Sequence, residues 1–202
     1  MSDALQTTTT TLLLDSLHDP ENEPIWQEFD ARYRPILTGF ARRLGLQPDD
    51  AADVAQETLA QFVRDYRAGR YSRERGRLRS WIIRICQNRA IDLQRARARR
   101  REYRGESAIL DHHDAAEVTH AWEEEEQRTI FTRAMEILRD ETRTHERTIR
   151  AFELVALERQ PAERVAETLG ITTAEVYRIK NRVTARLREI VERLTAAYEA
   201  DA

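Results

Sequence analysis

The chain of 202 residues can hold one large domain or two small ones. Its six glycines and five prolines are few, helix formers dominate, and no alternating β-rich stretch occurs, so an all-α fold is expected. The single cysteine, Cys86, excludes an internal disulfide and fits a small buried side chain in a reducing, cytoplasmic setting. The sequence has neither a signal-peptide pattern nor an apolar run of about 18 residues, which argues against export and against a membrane span.

Charge is strongly segregated along the chain, although the net charge is only −3. Residues 64–104 carry 15 arginines and four acidic side chains, whereas residues 1–63 and 105–146 are acidic. This alternation predicts an anionic partner for the arginine-rich block and a different partner for the acidic surfaces. Arginine supplies 32 of the 33 basic residues, which suits forked contacts with phosphates and guanine edges, or equally reflects a GC-rich genome.

Two amphipathic helices follow an N-terminal extension, residues 1–24. The first begins near Ile25 and is closed by Gly45, with Pro35 expected to kink or divide it. The second begins at Pro48 and has a core-facing side and a polar stripe at positions i, i+3, i+4, i+7 and i+11. The stripe consists of Asp53, Gln56, Glu57, Ala60 and Arg64. By its pattern alone, the stripe favours an ordinary solvated helix face over a binding surface.

The segment from Arg77 to Arg104 begins as a helix with a bulky apolar side and ends as an arginine run. Its opposite face carries Arg84, Asn88, Ile91 and Arg95 at helical spacing. A helix that packs on one side and offers arginine and asparagine on the other suits a phosphate chain with exposed bases. The alternative is a solvated basic face that binds nothing. Trp81 fits either core packing or base stacking.

Residues 105–121 lack sustained periodicity and are predicted to be a flexible linker between two small helical domains, residues 25–104 and 122–198. The histidines near the linker have neither a neighbouring cysteine nor a metal-binding spacing, so no metal and no other cofactor is expected.

A helix-turn-helix is predicted from Pro161 to Leu194. A short helix ends at Gly170, and Thr172 to Glu175 form a capping box that begins the next helix. That helix has an apolar stripe and, between residues 177 and 188, five basic residues and no acidic one. This arrangement suits a reader of the DNA major groove, and the alternative is a plain αα-hairpin with a solvated face.

Together these motifs resemble the bacterial sigma factors of the extracytoplasmic-function (ECF) type. DDAADVAQETLAQFV is similar to the helix with which that family binds core RNA polymerase. RLRSWIIRICQNRAIDLQRARARRR is similar to the segment that melts and reads the −10 promoter element. The predicted helix-turn-helix, with its Arg-Val-x-x-Arg-Leu ending, is similar to the domain that reads the −35 element. Leu78 stands where an aromatic residue is common in the family, and Tyr177 where a basic one is.

The resemblance implies a cytoplasmic, non-enzymatic factor with core RNA polymerase and promoter DNA as partners, and it adds an anti-sigma protein as a candidate partner. It assigns polymerase binding to Asp53, Gln56, Glu57, Ala60 and Arg64. It assigns contacts with single-stranded −10 DNA to Arg79, Trp81, Arg84, Asn88, Asp92 and Arg95. It assigns contacts with duplex −35 DNA to Thr172, Thr173, Tyr177, Arg178, Asn181, Arg182 and Arg186. One polymerase holding two weak DNA contacts would raise their effective concentration.

Two other classes of function account for the sequence less well. A stand-alone helix-turn-helix repressor or activator accounts for residues 147–195 but leaves the polar stripe and the Trp81–Arg104 segment without a role. An enzyme acting on nucleic acid is disfavoured, because the acidic pair Asp49 and Asp50 has no matching histidine or lysine and the chain has no glycine-rich phosphate loop.

Overall fold

A computed structural model describes residues 10–19, 22–71, 77–103, 114–141 and 146–199. The expected all-α fold is confirmed, since these residues form helices and turns without a strand. The helices are α1 (Thr10–Ser16), α2 (Glu23–Arg43), α3 (Pro48–Arg67), α4 (Leu78–Tyr103), α5 (Ala115–Glu141), α6 (Glu146–Phe152), α7 (Ala162–Leu169) and α8 (Thr173–Glu199). A π-helical turn, Glu153–Leu157, follows α6 directly.

The chain divides into two compact units. Unit 1 comprises Met1–Thr129 and Ala197–Ala202, and unit 2 comprises Ile130–Ala196. The boundary therefore falls inside α5, at the bond between Thr129 and Ile130, and not in the predicted linker.

The core of unit 1 lies among α2, α3 and α4, with α3 packed against both of the others. Its largest members are fully buried aromatic rings, and Phe29 of α2 stacks on Phe62 of α3 with centroids 5.2 Å apart. Full burial of one such side chain contributes about 1.5–3 kcal/mol, so the apolar spacing of these helices accounts for their association. The opposite sides of α3 and α4 are thereby left facing solvent.

Helix α2 is one continuous helix through Pro35, so of the two expected effects, a kink or a division, the division does not occur. Ile36, Leu37 and Phe40 beyond the proline are fully buried, and this burial offsets the backbone hydrogen bond that proline removes. Gly45 ends the segment as predicted, with a φ of 86° that only glycine adopts readily, and its N–H donates to the Arg42 carbonyl.

Cys86 lies on the buried side of α4 and is fully enclosed, as its apolar surroundings had indicated. Burial raises the pKa of the Cys86 thiol to about 12, while a hydrogen bond with Thr58 lowers it slightly. The side chain is therefore a neutral packing element.

Part of the predicted linker, residues 105–121, lies in a helix. Residues 105–113 lie outside the described part of the chain, but residues from Ala115 onward are helical and continue into the rest of α5. Val118 and Trp122 are buried in the core of unit 1, and the Trp122 ring meets Phe40 edge to face at 5.7 Å. In the sequence, Val118 and Trp122 are the large apolar side chains in this part of α5. Two such residues are too few to show a helical period.

Unit 2 is built around α6, its π-helical turn, α7 and the first part of α8. A small apolar cluster joins them, consisting of Ala151, Leu154, Ala162, Val165, Ala166 and Val176. Further along α8, the apolar stripe predicted from the sequence is buried. Its members there are Val183, Leu187, Ile190 and Leu194. The opposite face of α8 is left open to solvent.

Candidate functional site

The polar stripe of α3 lies on the surface of unit 1. Asp53, Gln56, Glu57 and Arg64 are exposed and Ala60 is half-buried, whereas Val54, Leu59 and Phe62 on the other side of the helix are buried. The structure thus brings the five predicted residues onto one continuous face. The carboxylates are available to a cationic partner, except that Glu57 pairs at 3.6 Å with Arg89 of α4.

A cleft of about 420 Å³ runs along this stripe and brings in a second helix that the sequence analysis missed. Gln56 and Ala60 line one wall, and the other wall is the solvent-facing side of α2, formed by Glu23, Trp26, Gln27, Asp30 and Arg34. These α2 residues repeat the i, i+3, i+4, i+7, i+11 spacing of the stripe, which is the signal that could have revealed them.

Ion pairing within α2 holds part of this wall in place. The Arg34 guanidinium donates from Nε to Asp30 at 2.8 Å and from Nη2 at 2.5 Å. The hydrogen bond to Asp30 raises the pKa of Arg34, against the lowering effect of its partial burial. Gln27 donates to Glu23 at 3.1 Å. The cleft therefore has fixed polar walls around the half-buried Trp26 ring and the buried Leu59.

The predicted cationic face of α4 is also on the surface. Arg84, Asn88, Asp92 and Arg95 are exposed, and Ile91 between them keeps 38% of its accessible surface. The buried side of the same helix carries Leu78, Ile82, Ile85, Cys86 and Ala90. The face therefore combines two guanidinium groups, an amide, a carboxylate and an exposed apolar side chain.

Trp81 is half-buried and packs in an aromatic cluster. Its ring lies 5.0 Å from Tyr71 and meets Phe62 edge to face at 6.2 Å. Core packing, one of the two roles considered for it, thus accounts for its position. Leu78, at the entrance of α4, is buried with 2% exposure, so an aliphatic residue fills this place in the core.

Arg79, at the start of α4, is paired within the chain. Its guanidinium lies 3.1 Å from Glu123 and 3.8 Å from Glu126 of α5. Further along α4, Arg89 also donates to Gln61 at 3.3 Å and Arg97 pairs with Asp50, so both connect α4 to α3.

The α7–α8 pair has the predicted local geometry. Gly170 adopts φ 60° at the end of α7, and Thr172 accepts a hydrogen bond from the Glu175 backbone N–H at 3.2 Å. Glu175 in turn accepts from the Thr172 backbone N–H at 2.8 Å, which completes the capping box. This backbone bond, together with the Thr172 hydroxyl, lowers the pKa of Glu175.

An arginine of α6 closes the turn between the two helices. Arg147 donates to the backbone carbonyls of Leu169 and Gly170, the latter at 2.9 Å. These carbonyls lie at the end of α7, where no helical partner is available to them. Arg147 is thus a residue of this site that the sequence analysis did not identify, because the contact joins residues more than 20 positions apart.

The predicted reading residues of α8 share its solvent side. Arg178, Asn181 and Arg182 are exposed, and Tyr177 keeps 51% of its accessible surface. Arg186 is half-buried and pairs with Glu189 at 2.9 Å. Thr173 is half-buried, and the Thr172 hydroxyl is hydrogen-bonded in the cap. The main role of these two residues is therefore at the start of the helix itself.

The stripe of α3 and the cationic face of α4 fall within one stretch of chain that a protein-family model recognises. Residues 29–100 match Sigma-70 region 2. The match covers 72 of the 202 residues, so the likeness is to this one region of the sigma-70 family. It begins in α2 and ends in α4; residues 29–100 are called the region 2 segment below. No curated protein matches the chain.

The described residues contain no group of three or more His, Cys, Asp or Glu side chains arranged to hold a metal ion. Among the described helices, none combines the length and the apolar character needed to cross a membrane.

Proposed function

We propose that the chain is a two-domain sigma factor of the ECF type, which binds core RNA polymerase in the cytoplasm and directs promoter recognition, melting and initiation. The observation that carries the proposal is the coincidence of the region 2 match with two exposed surfaces of opposite character on α3 and α4. A regulator that only binds duplex DNA needs neither surface.

Polymerase binding is assigned to the α3 stripe together with the cleft beside it. Asp53 offers an exposed carboxylate, Glu57 offers one that is paired with Arg89 at 3.6 Å, and the cleft adds Trp26 and the apolar Leu59. A helical partner segment with arginine or lysine side chains and one apolar anchor would match this combination. An interface of this kind draws its affinity from the buried centre and its orientation from the charged rim.

Binding of the separated −10 strand is assigned to the exposed face of α4. Arg84 and Arg95 suit phosphates, and Asn88 between them suits a base edge. Ile91 gives an exposed apolar surface against which a base can pack. Asp92 is the acidic member of this face, and Trp81 supports it from the aromatic cluster below.

Duplex binding at the −35 element is assigned to the start of α8. The capping box and Arg147 fix the angle of this helix start relative to α7, and Tyr177, Arg178, Asn181 and Arg182 extend from it into solvent. Side chains near the beginning of such a helix reach base edges in the major groove, and Arg186 further along suits a phosphate.

Run-off transcription with purified core polymerase on a library of random promoter sequences tests this proposal. The expected result is chain-dependent transcripts from templates that share two short elements, together with co-purification of the chain and core polymerase. A chain that binds duplex operators as a dimer and does not bind core polymerase would show that the proposed function is wrong and that a stand-alone regulator is correct.

A further inference from the structure

Four consecutive glutamates of α5, Glu123–Glu126, are bound to cations of the region 2 segment. They are called the acidic segment below. Glu124 and Glu125 pair with Arg43 of α2, with the Arg43 Nε donating to Glu125 at 2.6 Å. Glu123 and Glu126 pair with Arg79 of α4. All of these residues belong to unit 1.

The binding position on α2 is shaped for this segment. Glu125 is buried with 6% exposure, and a Cβ on Gly39 would lie 2.7 Å from its carboxyl carbon. The absence of a side chain at Gly39 therefore makes room for the carboxylate. Trp122, one position before the acidic segment, is fully buried against Phe40. A glycine notch, a buried tryptophan and an ion pair whose carboxylate is buried together hold this turn of α5 on α2.

The ion pairs with Arg79 are of a different kind, because they are not needed to hold the segment. Side-chain exposure is 46% for Glu123, 22% for Glu126 and 35% for Arg79, so water competes for these contacts. Exposed pairs of this type contribute little to folding stability. Their main consequence is that Arg79, a cation that the resemblance assigns to −10 contacts, is already occupied by carboxylates.

We propose that the acidic segment is an intramolecular competitor of DNA, in which Glu123 and Glu126 occupy Arg79 and lower the affinity of the free chain for single-stranded DNA. The proposal rests on the function proposed above. A guanidinium bound by two carboxylates is not free to contact a phosphate, and the carboxylates also repel a phosphate chain that approaches the start of α4. Arg84 and Arg95 lie further along the helix and stay open.

The experiment compares the full chain with Glu123→Gln/Glu126→Gln, which keeps Trp122 and Glu125 in place. The probe is a fluorescently labelled single-stranded oligonucleotide of mixed sequence, titrated over a range of salt concentrations. We expect the variant to bind roughly threefold to tenfold more tightly at low salt, because two partly exposed ion pairs no longer compete. The slope of log affinity against log salt should become steeper by about 0.7, the value of one added phosphate contact.

Two controls separate competition from a general change of charge. Glu136→Gln/Asp140→Asn removes the same charge from exposed positions further along α5 and should leave the affinity nearly unchanged. Adding Arg79→Ala to the Glu123→Gln/Glu126→Gln variant should abolish the gain. A gain equal to the control's, or one that persists without Arg79, overturns the competition. Binding to core polymerase is measured in parallel. It tests the proposed function separately, because it does not depend on the competition for Arg79.

Discussion

Gly39 shows how a single missing side chain places a whole segment. Alanine would favour the helix by about 1 kcal/mol, but its Cβ would collide with the carboxylate of Glu125. Since Glu125 is buried and bound to Arg43, we expect Gly39→Ala to destabilise unit 1 by about 1–2 kcal/mol. All three tryptophans lie in unit 1, so urea unfolding followed by tryptophan fluorescence reports on this unit.

A double-mutant cycle gives the control for Gly39. Once Glu125→Ala has removed the carboxylate, Gly39→Ala should become stabilising by about 1 kcal/mol, the ordinary helix preference. A destabilisation that is the same in both backgrounds would mean that the collision with Glu125 is not the cause.

Cys86 is a fully buried free cysteine. Because burial raises the pKa of its thiol to about 12, almost no reactive thiolate exists at neutral pH, and the sulfur is enclosed as well. We expect iodoacetamide to leave the folded chain unmodified and to alkylate Cys86 rapidly in urea, as measured by mass spectrometry. Fast alkylation of the folded chain would contradict the buried position.

Among the elements, the start of α8 depends on its capping box. Thr172→Ala removes the side-chain acceptor for the Glu175 N–H, and loss of such a cap costs about 0.5–2 kcal/mol. Hydrogen exchange should therefore become faster in the first turn of α8, whereas Thr168→Ala at the end of α7 leaves that turn protected. Equal exchange in the two variants would show that the cap does not hold the turn.

The same cap predicts a dependence on pH. The pKa of Glu175 is lowered in the folded chain, so its carboxylate contributes stability at pH values above its ordinary pKa. That contribution is lost as the pH falls through the lowered value. Glu175→Gln should therefore weaken protection of α8 at neutral pH, and the difference from the unsubstituted chain should shrink in acid. A difference that grows in acid would contradict this sign.

The buried sides of the helices and several helix ends could be predicted from the sequence. Apolar spacing predicted the buried sides of α2, α3, α4 and α8, and glycine and threonine signals predicted Gly45, Gly170 and the cap at Thr172. These features are local, since each depends on residues within a few positions of one another. Residues 115–121 were assigned to a linker because too few large apolar side chains mark a helical period there. The contacts of Glu123–Glu126 with Arg43 and Arg79 were missed because they join residues more than 40 positions apart.

The region 2 segment carries two surfaces of opposite character. Glu57 on α3 and Asn88 on α4 are both exposed, and neither is needed for the core. Under the proposed function, Glu57→Arg should weaken binding to core polymerase, because a carboxylate at the interface becomes a like charge. The matched reversal Glu136→Arg, at an exposed position in unit 2, should leave core binding unchanged in a pull-down assay.

The most direct test of this division of labour measures polymerase binding and promoter melting in the same variants. Arg84→Ala/Asn88→Ala should leave the affinity for core polymerase unchanged and reduce open complexes, detected by permanganate reactivity at the −10 element, by about tenfold or more. Arg133→Ala/Gln127→Ala removes the same groups elsewhere and should alter neither quantity. Normal melting in the α4 variant, or a loss of polymerase binding equal to that of Glu57→Arg, would contradict the account.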